Sequence, residues 1–233
     1  MAATTSSSRS HHRLPKTITL YLVLYNAVLC LGWSIVLVLG SLHWLRHGTH
    51  VGLFSAISIP LYIFQTAAIM EVFHCAVGFV RSSVFLTGFQ VASRLFLVWA
   101  ILYSVPEVQD SIGVAAAVAA WSVTEVIRYL FYVCSLVSVL PYALQWCRYT
   151  FFFFLYPIGV TGELVAIYAS LPFVQKSGIY SMALPNPLNV GFSYYWFLIA
   201  VMLSYIPIFP QLYFHMIGQR RKVLSSEPRG KKD

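Results

Sequence analysis

Charged residues are scarce in this sequence. Only 9% of the 233 residues are Asp, Glu, Lys or Arg, while 59% are hydrophobic; soluble domains carry roughly 25% charged residues. A chain of this composition has too few polar side chains to cover its surface in water. The composition therefore excludes an ordinary soluble domain and predicts a membrane protein.

Cysteine is also scarce, which excludes a disulfide framework and a cysteine-rich zinc site. The four cysteines are Cys30, Cys75, Cys134 and Cys147. All four lie in or beside apolar runs, where cysteine behaves as a small hydrophobic residue. We expect neither a metal nor a cofactor. The chain also lacks a repeat of 20–50 residues, which argues against a transporter built from internal repeats.

Long apolar runs are abundant. Six of them reach the roughly 20 residues that a helix needs to cross the bilayer: residues 17–42, 53–80, 84–103, 112–136, 147–171 and 192–217. The third and fourth runs contain Arg94, Glu125 and Arg128, so five spans remain an alternative. The fold predicted is all-α, a bundle of about six transmembrane helices with an intramembrane active-site pocket. We divide the chain into a disordered N-terminal tail (1–16), the membrane domain (17–218) and a basic C-terminal tail (219–233).

The basic residues are distributed unevenly between the two sides of the predicted membrane. Eleven of the fifteen fall on the side shared by both tails: Arg9, Arg13, Lys16, Arg81, Arg148, Arg220, Arg221, Lys222, Arg229, Lys231 and Lys232. The opposite loops hold only Arg46 and Lys176. By the positive-inside rule, both termini are cytoplasmic. The net charge of +8 therefore reflects membrane orientation, and we expect no nucleic-acid partner.

Several ionisable and polar residues interrupt the apolar runs at helical spacing. Gln90 and Arg94 are four residues apart, Glu125 and Arg128 are three apart, and Glu71 lies in the second run. Such neighbours meet on one helix face. They could form structural ion pairs, Glu125 with Arg128 and Glu71 with Arg94, or they could support an active site. Both readings stay open.

Glu163 differs from the other acids because its own helix offers no cation within four residues on either side. Tyr156 precedes it by two helical turns and shares its face. A desolvated carboxyl beside an apolar pocket is a candidate general acid or base. Gly159 and Gly162 lie between these two residues and would let a substrate approach the backbone, although such glycines also serve helix packing. We favour a functional role for the set.

Residues 74–81 read HCAVGFVR, which matches the Cys-x5-Arg pattern of tyrosine phosphatases. That reaction needs a thiolate in a loop whose backbone N–H groups bind phosphate. Here Cys75 lies in an apolar helical run, where the amide groups are used by the helix. We set phosphatase activity aside.

Four motifs together resemble a known family. They are Tyr156-Pro157-x-Gly159-x-x-Gly162-Glu163, Ser93-Arg94, Thr124-Glu125-x-x-Arg128-Tyr129 and Tyr205-Ile206-Pro207-x-x-Pro210. The chain resembles, from about Tyr21 to Lys222, the membrane 3-hydroxyacyl-CoA dehydratases of very-long-chain fatty acid elongation. That family was once labelled protein tyrosine phosphatase-like because of the segment around His74 and Cys75.

The resemblance implies a six-span enzyme of the endoplasmic reticulum membrane. It would convert very-long-chain 3-hydroxyacyl-CoA to trans-2-enoyl-CoA, the third step of the elongation cycle, with Tyr156 and Glu163 as the catalytic pair. Elimination requires a base for the proton on C2 and an acid for the C3 hydroxyl; we assign Glu163 and Tyr156 respectively, although the roles could be exchanged. Arg81 and Arg148 are candidates for CoA phosphate contacts.

The resemblance also implies partners and a location. We expect the lipid bilayer and the other elongation enzymes as partners, namely the elongase, the ketoacyl-CoA reductase and the enoyl-CoA reductase. The C-terminal sequence Arg229-Gly-Lys231-Lys-Asp233 resembles a retrieval signal of the endoplasmic reticulum. A non-enzymatic alternative is a transporter or scaffold, in which the buried charges form a polar path or join helices. A continuous polar route would favour the transporter, and the absence of a cavity between Tyr156 and Glu163 would favour the scaffold.

Overall fold

A computed structural model describes residues 15–80, 82–185 and 189–225. These residues form eight α-helices: α1 (Lys16–His47), α2 (Leu53–Ala67), α3 (Ile69–Ala76), α4 (Val84–Leu95), α5 (Ile112–Leu136), α6 (Tyr142–Thr150), α7 (Phe152–Ser177) and α8 (Tyr194–Ser225). A π-helical segment, Phe96–Tyr103, continues α4, and a 3₁₀ turn covers Pro106–Val108. The described part of the chain contains no strand beyond one antiparallel bridge between Met182 and Phe192.

Six helical segments are long and apolar enough to cross a membrane, which confirms the predicted all-α bundle of six spans. They are Lys16–His47, Leu53–Ala76, Val84–Tyr103, Ile112–Leu136, Phe152–Ser177 and Tyr194–Arg221. The alternative prediction of five spans is therefore wrong. The mid-span charges that lowered the hydropathy of the third and fourth runs are paired inside the bundle rather than exposed.

The predicted boundaries of four segments differ from the observed ones, and the first run, predicted to end at residue 42, continues to His47. The fifth run, predicted from residue 147, begins at Phe152 because the preceding residues form the separate helix α6, and it continues to Ser177. The second run breaks at Ala68, between α2 and α3. Helix α8 extends to Ser225, beyond the predicted end of the membrane domain, because cations such as Arg220 and Arg221 favour the C-terminus of a helix. Most of the predicted N-terminal tail lies outside the described residues.

Local capping explains where several helices begin and end. Gly48 and Gly178 end α1 and α7 in the left-handed conformation, φ +64° in both cases, and their N–H groups donate to the carbonyls of Trp44 and Val174. A side chain at these positions would strain that backbone. At the other end of a helix, the Ser83 hydroxyl accepts a hydrogen bond from the N–H of Leu86 and so caps α4.

Helix α5 is the central helix of the bundle and packs against α1 on one side and α7 on the other. The contact with α7 is backbone to backbone, because Gly113 and Gly162 face each other. A Cβ placed at Gly162 would lie 2.6 Å from the Gly113 carbonyl oxygen and 2.6 Å from the Ala117 nitrogen. Close approach through small residues is a common way for helices to associate in membranes.

The Gly162→Ala substitution should therefore destabilise the bundle. The added methyl group meets backbone atoms that cannot rotate away, and overpacking of this kind costs typically about 1–3 kcal/mol. We expect a lower melting temperature for the detergent-purified variant. Gly40→Ala is the matched control, since its Cβ would have no neighbour nearer than 3.7 Å and alanine favours helix. Equal melting temperatures for the two variants would contradict the observed packing of α5 on α7.

Candidate active site between the helices

A cavity of about 570 Å³ lies between the helices, and all eight contribute to its lining. Its walls include nine of the residues predicted for the site: Glu71, Gln90, Arg94, Glu125, Arg128, Arg148, Tyr156, Gly159 and Glu163. Gly162 is not among them, because it faces α5. Arg81 lies outside the described residues. Every acidic or basic side chain among these lining residues, histidine aside, was therefore singled out from the sequence, whereas most of the neutral polar ones were not.

Glu163 is buried, with 6% of its surface exposed, and both of its carboxyl oxygens accept hydrogen bonds. The indole Nε1 of Trp121, on α5, donates to Oε1 at 2.9 Å. The hydroxyl of Tyr205, on α8, donates to Oε2 at 2.7 Å. Two neutral donors from two neighbouring helices therefore fix the orientation of the carboxyl group, and no ion pair involves Glu163 within the described part of the chain.

Trp121 and Tyr205 are site residues that the sequence reasoning missed. Tyr205 was quoted in one of the motifs, but it received no role. A charged residue stands out in an apolar run, whereas a neutral hydroxyl or indole gives no such signal. The only indication available was the residue type, because the hydroxyl of tyrosine and the indole N–H of tryptophan usually need a hydrogen-bond partner when they are buried.

Tyr156 lies on the same helix as Glu163, about 10 Å away along the axis at 1.5 Å per residue. Its ring stacks on Phe209 of α8, with centroids 5.1 Å apart and planes 3° apart, and on Tyr213 at 6.3 Å. None of the hydrogen bonds assigned to the described residues involves its hydroxyl. The stacking fixes the ring, while the hydroxyl is left available to another molecule in the cavity.

A balanced network of charges on α3, α4 and α5 also lines the cavity. The Arg128 guanidinium donates to Glu71 through two nitrogens, at 2.6 and 2.7 Å, and to Glu125 through Nε at 2.7 Å. Arg94 pairs with Glu125, and the Tyr129 hydroxyl donates to Glu71. Two carboxylates therefore meet two guanidinium groups.

This network corrects one of the expected ion pairs. Glu71 pairs with Arg128 and not with Arg94, because Arg128 reaches both acids from the middle of α5. The expected pair of Glu125 with Arg128 is present. Arg94 also stacks over the indole of Trp121, 5.6 Å from the ring centroid. The network is thereby in contact with the residue that holds Glu163.

Arg148 lies at the open end of the cavity. Its guanidinium stacks over Phe131 at 4.5 Å and over Tyr132 at 4.7 Å, and Nη2 donates to the Tyr132 hydroxyl at 3.2 Å. Its Nε is buried without a partner among the described residues. His215 and Gln219 of α8 line the same end. The aromatic contacts hold the charge in place while leaving hydrogen-bond donors uncommitted.

The described residues of the phosphatase-like segment, 74–80, form no phosphate-binding loop. Cys75 is buried within α3, where its thiol lies 3.7 Å from the Thr87 hydroxyl. His74 is also buried, and its Nε2 is 2.9 Å from the hydroxyl of Tyr21. Helix α3 ends at Ala76, and the N–H groups of residues 77–80 donate to the carbonyls of Phe73, His74 and Cys75, so they are not free to bind a phosphate. Among the described residues, no group of three or more His, Cys, Asp or Glu is placed to hold a metal ion.

Comparison with known proteins identifies one family model and several relatives that point to the same family. Residues 65–226 match the family model described as protein tyrosine phosphatase-like protein, PTPLA. The chain is 55% identical to the human very-long-chain (3R)-3-hydroxyacyl-CoA dehydratase 2, over 92% of this chain and 84% of that protein. It is 48% identical to dehydratase 1 of Canis lupus familiaris, over 95% of this chain and 89% of that protein.

The similarity extends beyond vertebrates. The Caenorhabditis elegans dehydratase hpo-8 is 51% identical over 88% of this chain and 94% of its own length. No solved structure matches the chain. The family model covers more than half of the sequence, and the relatives cover nearly all of it. The chain therefore belongs to the protein tyrosine phosphatase-like (PTPLA) family, the family of the very-long-chain (3R)-3-hydroxyacyl-CoA dehydratases.

Proposed function

We propose that this protein is a membrane-bound dehydratase that converts very-long-chain 3-hydroxyacyl-CoA to trans-2-enoyl-CoA in fatty acid elongation. The substrate class comes from the names of its relatives. The observation that carries the proposal is a buried carboxyl group, Glu163, whose two oxygens are held by neutral donors beside a cavity. A positioned base is what the removal of a proton from C2 requires.

Glu163 serves as the base. Trp121 and Tyr205 each donate a hydrogen bond to it, so the carboxyl group is held in one orientation. Each oxygen keeps a further lone pair for the substrate. The proton on C2 passes to Glu163, and the C2–H electrons form the double bond to C3 as the C3–O bond breaks.

Tyr156 serves as the acid that completes the elimination. Its hydroxyl gives a proton to the departing C3 oxygen, so that water leaves rather than hydroxide. The site is restored when the proton taken by Glu163 returns to the Tyr156 oxygen. The stacking on Phe209 fixes the ring against the cavity wall, which suits a residue that must meet one oxygen atom of a bound chain.

The cavity is suited to a CoA ester entering from one end. Its lining uses the N-terminal parts of α1 and α7 and the C-terminal parts of α5 and α8, which lie at the same end of the bundle. The guanidinium charge of Arg148 at this end can attract the phosphates of CoA. The pantetheine arm would then carry the thioester inward to Glu163.

The two non-enzymatic alternatives receive less support from this geometry. A transporter needs a polar route through the whole bundle, whereas the cavity-lining residues of the described chain stay at one end. A scaffold would leave Tyr156 and Glu163 facing different neighbours, whereas both line the same cavity. A dehydratase accounts for the shared cavity and for the uncommitted hydroxyl of Tyr156.

The cellular setting follows from the substrate and the charge distribution. We place the protein in the endoplasmic reticulum membrane with both tails in the cytosol, where acyl-CoA can enter the open end of the cavity. The excess of basic residues on the tail side supports this orientation. The enzymes that supply the 3-hydroxyacyl-CoA and consume the enoyl-CoA, a ketoacyl-CoA reductase and an enoyl-CoA reductase, are its proposed partners together with the elongase.

The Tyr156→Phe and Glu163→Gln variants should each lose dehydratase activity while remaining folded. Both substitutions keep the volume nearly constant, and each removes a proton-transfer group that typically contributes about 10²–10⁴-fold to the rate. The measurement is the formation of enoyl-CoA from 3-hydroxyacyl-CoA by detergent-purified protein. The double variant should be little worse than either single variant, because residues that act together are not additive. Near-normal turnover by Glu163→Gln would move the base to Glu71 or Glu125.

The Glu125→Gln variant should lose stability rather than turnover per folded molecule. Glu125 is buried and lies between Arg94 and Arg128, and removing one member of a buried ion pair costs about 3–5 kcal/mol. We expect a clearly lower melting temperature in detergent. Glu107→Gln is the control, because Glu107 is exposed and no ion pair among the described residues involves it. A normal melting temperature with lost turnover would instead assign Glu125 to the chemistry.

Glycosylation tags test the orientation in the membrane. A tag added to either terminus should remain unmodified, because both tails are assigned to the cytosol. A tag inserted after Ser181, in the loop between α7 and α8, should be glycosylated and serves as the positive control. Modification of one terminal tag would require an odd number of spans and would contradict the six-span orientation.

A further inference from the structure

The cavity is closed at its inner end. The π-helical segment after α4 fills this region with Leu97, Val98 and Ile101, none more than 1% exposed, and they join the same core as Leu198 of α8. Phe96 also contacts Phe197 at 5.9 Å between ring centroids, and the Tyr194 hydroxyl donates to the Ala100 carbonyl at 2.8 Å. A long chain that enters from the open end therefore cannot continue straight through the bundle.

The wall of the cavity is closed around most of its circumference. Helix α5 packs on α1 and α7, α1 packs on α2, α3 packs on α4, and α7 packs on α8. Helices α4 and α8 lie at the two ends of this series of contacts. Both line the cavity, and no extensive backbone contact joins them in the described part of the chain. The cavity thus has a gap in its side wall, which lies nearer the open end than the contact between Phe96 and Phe197.

Both edges of this gap carry apolar residues that are partly exposed, and the α4 edge also carries Gln90. On α4 the gap is lined by Leu86 and Phe89, and Phe89 is 40% exposed although it borders the cavity. On α8 it is lined by Ile208 and Leu212. These helices belong to membrane-crossing segments, so the outer side of the gap faces hydrocarbon. An apolar chain can pass between the cavity and the lipid without exposing itself to water.

We propose that the gap between α4 and α8 binds the acyl chain of the substrate and releases its distal part sideways into the bilayer. The inference rests on the proposed dehydratase function, because it uses an acyl-CoA whose thioester lies at Glu163. The closed inner end leaves this gap as the route for a chain longer than the cavity. A chain that leaves through the gap does not reach the closed inner end, so the cavity does not limit its length. Chains that extend beyond the gap should therefore be processed alike.

A photoreactive substrate analogue tests the route. The probe is a long-chain 3-hydroxyacyl-CoA with a diazirine near the middle of its chain, added to the full-length protein in membranes and then irradiated. Mass spectrometry should find adducts on the α4 and α8 segments that border the gap, and excess unlabelled 3-hydroxyacyl-CoA should reduce them. Adducts confined to residues at the inner end, such as Trp33 and Gln65, would overturn the proposal.

Variants that narrow the gap provide the second measurement. Phe89→Trp and Leu212→Trp should lower kcat/KM for a long-chain substrate roughly tenfold, in the range that apolar contacts discriminate, while a short-chain substrate is processed normally. Phe85→Trp is the matched control, since Phe85 lies on the same helix, is 83% exposed and does not line the cavity. Equal losses for short and long chains would overturn the sideways route.

The two experiments separate failure of the route from failure of the function. Crosslinking reports where the chain lies and does not require turnover. A wild-type protein that crosslinks the probe but dehydrates neither substrate would contradict the proposed function. A wild-type protein that dehydrates both substrates but forms no adduct at the gap would contradict only the route.

Discussion

The pair of hydrogen bonds on Glu163 is the contact on which the site depends. Trp121 comes from α5, Glu163 from α7 and Tyr205 from α8, so one carboxyl group joins three membrane-crossing helices. A buried carboxyl without such partners would be costly in a membrane interior. The same carboxyl group lines the cavity, as the proposed base must.

The packing of α5 against α7 makes these bonds possible. The two helices approach through Gly113 and Gly162, where side chains would collide with backbone. This close approach brings the indole of Trp121 within 2.9 Å of Glu163. Arg94 stacks over the face of the Trp121 ring and belongs to the ion-pair network. Packing, charge balance and the orientation of the proposed base are therefore coupled through one indole ring.

Much of the fold could be predicted because membrane spans are written as continuous apolar runs. Glu163 was also identifiable, since a carboxylate without a local cation stands out in such a run. The break between α6 and α7 could not be read in the same way, because hydropathy does not mark where one apolar helix ends and the next begins. The partner of Glu71 was misassigned for a related reason. Helical spacing identifies neighbours within one helix, but Arg128 and Arg94 lie on helices other than that of Glu71. Only the packing of the helices decides which of the two arginines pairs with Glu71.

Neutral partners were the residues that sequence reasoning could not find. Trp121 and Tyr205 look like two among many aromatic residues in an aromatic-rich chain, in which 16% of residues are Phe, Trp or Tyr. Their role appears only when the hydrogen-bond geometry around Glu163 is known. The gap between α4 and α8 is likewise a property of helix arrangement, because the apolar residues at its edges have the composition of any lipid-facing surface.

Hydrogen exchange at C2 tests the central claim, that Glu163 is the base, most directly. Purified protein would be incubated with trans-2-enoyl-CoA in D₂O, so that the reverse reaction adds water and delivers one deuterium to C2. Mass spectrometry of the 3-hydroxyacyl-CoA formed then reports the transfer. The account predicts deuterium at C2 with the wild-type protein and none above background with Glu163→Gln. Undiminished incorporation by a folded Glu163→Gln variant would contradict it.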